Sequence, residues 1–149
     1  MVQYINKCMA LSSEEWKLLL AALVKLPIVT ILLYTCGFKK TQSLLMRFLS
    51  HRQSPEISGD EKEVLIKSIV RMVKIAVNYS PYHNNCLKYS MVLWWELTRK
   101  GIASVIRFGV NKEKSTNIDA HAWVEVNGIN VSDSISMQES YLVLQEPGT

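Results

Sequence analysis

No C-x-x-C pair occurs in this 149-residue chain, and its three cysteines, Cys8, Cys36 and Cys86, are an odd number. That argues against a disulfide framework and fits a reducing cytoplasm better. The histidines, His51, His83 and His121, stand at no zinc-finger spacing from the cysteines, so no structural zinc and no other cofactor are expected. The net charge is +4, yet no run of lysine and arginine with interleaved aromatics appears. Nucleic acid is therefore not the expected partner. The opening residues, MVQYINKCMA, lack the charged start, apolar centre and small-residue cleavage site of a signal peptide. Internal repeats and low-complexity segments are also missing.

What the chain has is apolar. Hydrophobic residues make up 48% and charged residues 20%, enough for one domain with a real core rather than a disordered chain. The organising stretch is residues 84–101, NNCLKYSMVLWWELTRKG. Asn84 and Asn85 suit the start of a helix, because their side-chain oxygens accept from the free N–H groups there. Arg99 and Lys100 suit the negative end of its dipole, and Gly101 suits a stop. Leu87, Met91, Val92, Trp94, Trp95 and Leu97 cover nearly every side, so other elements must wrap this helix.

Around it the chain divides at residues 50–60, SHRQSPEISGD, a linker rich in serine with proline and glycine. Before it, residues 1–55 read as a helical region. Ser12-Ser13-Glu14-Glu15 starts a helix, Pro27 interrupts or restarts it, and residues 39–49 continue as an amphipathic helix. Residues 18–38 carry one charge, Lys25, and are long enough to span a bilayer. The lysine and proline inside favour instead two helices packed on the domain, partly exposed, with residues 18–49 touching a partner or the membrane surface. After the linker, residues 56–149 begin with a helix capped by Asp60 and running over 61–78. Beyond Gly101 the pattern turns to strands at 102–110, 120–126, 129–133 and 141–144, with Asn127-Gly128 as a hairpin turn. The whole is an α+β arrangement, a central helix on an antiparallel sheet with a helical N-terminal region.

Three polar residues stand where chemistry can be built. Cys86 lies in the first turn of the central helix, where the dipole favours a thiolate. His121 opens one strand and Asp133 ends the next. A thiol nucleophile needs a base to take its proton and an acid to orient that base. Each also has a structural alternative: a small buried thiol, a histidine bonded within the core, a turn acid. Register decides whether the trio can meet. A two-residue type I′ turn puts Ala122 opposite Asp133 and His121 on the other side of the sheet. A three-residue loop with a bulge at Gly128 puts His121 opposite Asp133. The apolar pairing favours the first form and catalysis needs the second or an equivalent bulge. Asp119 is a weaker candidate for the orienting acid, and His83 is read as solvated or as a substrate contact.

The segment NNCLKYSMVLWWELTRKGI, followed by HAWVEVNG and then VSD, resembles the lasso-peptide leader peptidases, bacterial proteins with a transglutaminase-like, papain-related cysteine-protease fold. The resemblance covers residues 80–146; the N-terminal helices match in character alone. It implies that Cys86 is the nucleophile, His121 the general base and later acid, and Asp133 the residue orienting the imidazole. The implied reaction is hydrolysis of one peptide bond at the leader–core junction of a ribosomally made precursor. The oxyanion would sit on the backbone N–H of Cys86 and a second donor, Asn84 or Asn85. A separate leader-recognition protein and an ATP-dependent cyclase are the implied partners. Two other readings stand beside it: acyl transfer to an amine, and a non-catalytic scaffold or membrane-associated binding protein of the same maturation complex.

Overall fold

A computed structural model of the chain describes residues 11–49, 57–81, 85–111, 120–132 and 141–144. Helix α1 (Ser13–Leu49) starts at a reciprocal capping box. The Ser12 hydroxyl accepts from the Glu15 N–H at 3.3 Å, and the Glu15 carboxylate accepts from the Ser12 N–H at 3.0 Å. The helix runs through Pro27 where an interruption was expected. Proline removes one N–H, and its usual acceptor, the Leu23 carbonyl, belongs to an exposed residue that water can reach. The break falls at Gly37 instead, with φ 76° and ψ 174°, a conformation essentially reserved for glycine.

Helix α2 (Gly59–Tyr79) has Ser58 at its N-cap position, so Asp60 is the second helical residue, in the first turn at the positive end of the dipole. Helix α3 (Cys86–Arg99) is the central helix. The Asn85 side chain accepts from the Leu87 N–H at 2.8 Å and closes its start. Its end is a Schellman motif: the Ile102 N–H reaches the Leu97 carbonyl and the Gly101 N–H the Thr98 carbonyl, both at 3.0 Å, with Gly101 at φ 76°.

Met91, Val92, Leu93, Trp94 and Leu97 of α3 are buried against α1, α2 and the sheet. Leu18, Leu19, Ala22, Leu26, Val29 and Leu45 of α1 join the same core, with Ile69, Met72, Val73, Ala76 and Val77 of α2. One charge enters with them. The Lys25 ammonium hydrogen-bonds the Glu96 carboxylate of α3, their side chains only 7% and 1% exposed, and lies 5.1 Å from the Trp95 ring centre. Burial pulls the Lys25 pKa down, and the Glu96 carboxylate opposes that pull. Among the described residues α1 is the one helix long and apolar enough to cross a membrane, and 33% of its apolar window is buried inside this fold.

The sheet is antiparallel, in the order β3-β2-β1-β4, from β1 (Val105–Asn111), β2 (Ala120–Val126), β3 (Ile129–Asn130) and β4 (Tyr141–Leu144). β1 starts three residues later than expected because Ile102 is engaged in closing α3. Val126 pairs with Ile129 and Glu125 with Asn130 across a type I′ turn, Asn127 at φ 54° and Gly128 at φ 78°. The two-residue form of the hairpin is therefore the one present. β3 is much shorter than the strand expected over 129–133. The Asn130 side chain accepts from the Ser132 N–H at 2.9 Å, an Asx-type turn that takes the chain off the ladder.

Candidate active site

The early end of β3 leaves part of β2 without a partner strand on that side. Its inward-facing N–H groups are taken up by other atoms instead. The Val131 N–H still reaches the Val124 carbonyl at 3.0 Å, but the Val124 N–H goes to the Ser132 hydroxyl at 3.0 Å rather than to a strand carbonyl. One step further along, the Ala122 N–H points at the sulfur of Cys86. The first turn of α3 thus lies against the open edge of β2, and Cys86 occupies a place a neighbouring strand would otherwise fill.

His121 is the residue beside that N–H. Alternation along β2 puts His121, Trp123 and Glu125 on one face and Ala122, Val124 and Val126 on the face toward the core. The His121 and Trp123 rings stack with centres 6.2 Å apart, and the Trp123 indole N–H donates to Glu125 at 2.9 Å. β1 sets Gly109 opposite His121, so the facing strand contributes no side chain there. His121 lies on the face away from the core, and its side chain is within hydrogen-bonding influence of the Cys86 sulfur. The register that the sequence made decisive is the one for His121 and Asp133. The two-residue form present is the one expected to set Ala122, not His121, toward Asp133, which itself lies outside the described residues.

The Cys86 thiol is held below its ordinary pKa. The hydrogen bond with the His121 side chain is the largest cause; partial burial opposes it, and the Ala122 and Leu87 N–H groups add to it. Both Cys86 and His121 are half-buried, open enough for a substrate to approach. The pair can supply a thiolate and an acceptor for its proton. The Asn85 oxygen is committed to the helix cap, and the Cys86 sulfur lies 3.8 Å from it. Asp133, Asp119, His83 and Asn84 lie outside the described residues.

Three side chains that sequence reasoning passed over hold these parts together. Ser90, one turn after Cys86, donates to the Ala122 carbonyl at 3.0 Å and ties α3 to the strand that carries His121. Tyr89 donates to the Ser132 carbonyl at 3.4 Å, and the Ser132 hydroxyl donates to the Asn130 side chain at 3.0 Å. Ser132 immediately precedes Asp133, so the backbone leading to the third expected residue is tied to α3. A faint signal was present: Ser90 follows Cys86 by one helical turn, on the same face.

A half-buried thiol at a helix N-terminus, beside an imidazole from an antiparallel sheet, is an arrangement suited to cysteine-dependent acyl transfer. A family model described as the transglutaminase-like superfamily matches residues 32–146, and the chain belongs to that superfamily. The superfamily includes cysteine peptidases, and its fold is compatible with peptidase or transglutaminase chemistry. No curated protein and no solved structure matches the chain.

Proposed function

We propose that the protein is a cysteine endopeptidase that removes the leader from a lasso-peptide precursor. The observation that carries this is the lowered thiol of Cys86 in hydrogen-bond contact with His121, within a transglutaminase-like chain. His121 takes the thiol proton, and the Cys86 sulfur attacks the carbonyl at the leader–core junction. The tetrahedral oxyanion is received by the Cys86 N–H at the start of α3. As the C–N bond breaks, His121 returns the proton to the leaving amine, and a thioester remains. Water then gives a proton to His121, attacks the thioester and frees the leader acid and the thiol. Asp133 orients the imidazole in this scheme, which with the two-residue turn requires a bulge or bend after Ser132 to bring it round to His121. The released amine is what an ATP-dependent cyclase would join to an acidic side chain of the core.

The outer face of α1 supports a docking role beside the catalytic one. Leu20, Val24, Ile31 and Tyr34 are exposed along it without an intervening charge, a surface suited to a separate leader-recognition protein or the cyclase. The same face favours the second reading, a non-catalytic scaffold or membrane-associated member of the complex. Incubating precursor and recognition partner with wild type and Cys86→Ala, followed by mass spectrometry, separates the two. The peptidase reading expects one defined cleavage, reduced at least about a thousandfold in the variant. Identical products from both proteins would sink it.

A further inference from the structure

A groove of about 1750 Å³ follows the outward face of α2, well beyond the range of about 300–1,000 Å³ typical of small-molecule pockets. Ile66, Val70 and Ile75 form its helical wall, and Val126, Ile129 and Val131 of the β2–β3 hairpin face them. Its lining runs from Gly59 at the start of α2 to Tyr79 at its end. Twenty-one helical residues rise about 30 Å, the length of about nine residues of extended peptide. The Tyr79 end is the one nearer in the chain to the candidate nucleophile. Seven chain steps separate Tyr79 from Cys86, which bounds the gap between their backbones at about 25 Å.

The rim is basic. Lys62, Lys67, Arg71 and Lys74 line the groove against one acid, Glu63. Lys67 is paired with Glu63 at 2.7 Å and Arg71 with Glu15 at 3.3 Å. Lys62 and Lys74 line the groove and form no ion pair with a described residue, so among the described residues their charges are uncompensated. An apolar floor under uncompensated ammonium groups is complementary to a chain that carries both apolar side chains and carboxylates.

We infer that this groove binds an extended acidic–apolar peptide segment, the part of the precursor upstream of the cleaved bond. The assignment of the occupant as precursor rests on the peptidase reading; the peptide-binding groove itself does not. Apolar side chains pack between Val70 and the hairpin while carboxylates meet Lys62 and Lys74. The groove therefore tethers the leader and delivers the scissile bond to Cys86 at high local concentration.

The probe is a fluorescein-labelled nine-residue peptide alternating leucine and glutamate, with a second in which lysine replaces glutamate. Fluorescence anisotropy on the full chain at low salt is expected to show the glutamate peptide binding about tenfold more tightly than the lysine peptide. The double variant K62E/K74E is expected to reverse that preference, and Val70→Asn, which adds no charge to the apolar wall, to weaken both. Equal affinities, no binding, or a preference untouched by the variants would overturn the inference. So would variant-sensitive self-association or vesicle binding in place of peptide binding. Cleavage of the precursor is read in parallel. Variant-sensitive binding without any cleavage by wild type keeps the groove and removes the peptidase reading. Normal cleavage with variant-insensitive binding does the reverse.

Discussion

Helices α1 and α3 are both apolar around most of their middle turns, yet their surroundings differ. In α3 the large side chains from Met91 to Leu97 are enclosed on almost all sides, and the one acid among them, Glu96, is 1% exposed. In α1 one face enters the same core, while Leu20, Val24, Ile31 and Tyr34 look outward, Tyr34 at 92% exposure. The charge pattern is inverted as well. Lys25 of α1 points inward to meet Glu96, and the helix's outward face carries no charge between Lys17 and Lys39. Apolar content alone therefore does not decide which helix is central. The position of the charged partner does, because a buried ammonium is tolerated only opposite a carboxylate.

Breaking that ion pair should have the largest effect on stability. Lys25→Ala leaves Glu96 buried without a partner and is expected to cost about 3–5 kcal/mol in urea unfolding. Replacing both with methionine should restore stability to wild type or above, since two desolvated charges are removed together. Leu93→Ala tests the enclosed helix directly and should cost about 2–5 kcal/mol through the cavity it leaves. Gly37→Ala forces a β-carbon into a glycine-only conformation and should cost about 1–3 kcal/mol, although nothing crowds that position. The smallest change belongs to the outer face of α1. Ile31→Gln should stay within about 0.5 kcal/mol of wild type in the isolated protein while weakening the docking of a partner. A large loss there would mean that the face is covered within the fold and would erase the contrast between the helices.

Much of this was legible in the residues. The Asn85 cap, the Gly101 stop and the enclosing apolar circumference define α3 locally, and local rules hold there. Asn127-Gly128 likewise fixes its own turn. What escaped was non-local. Pro27 reads as a break, but the loss of one N–H beside an exposed carbonyl does not end a helix that tertiary packing supports. Strand pattern ran through Val131 to Asp133, whereas the Asn130 side chain turns the chain after two paired residues. That early ending matters for the site, since it frees the edge of β2 where Cys86 and His121 meet. Ser90, Tyr89 and Ser132 act through contacts between elements far apart in the chain, for which spacing carries almost no signal.

The decisive property is a sulfur whose proton is loosened by an imidazole. It is read by the rate of Cys86 alkylation with iodoacetamide across pH, followed by peptide mass spectrometry. The native thiol has its pKa lowered, so its thiolate is present at pH values where a free cysteine is still protonated, and the alkylation midpoint must lie below that of free cysteine. Removing the largest cause, in His121→Ala, must move the midpoint back up. A midpoint at the free-cysteine value in wild type, or one unmoved by the loss of His121, would contradict the account at its centre.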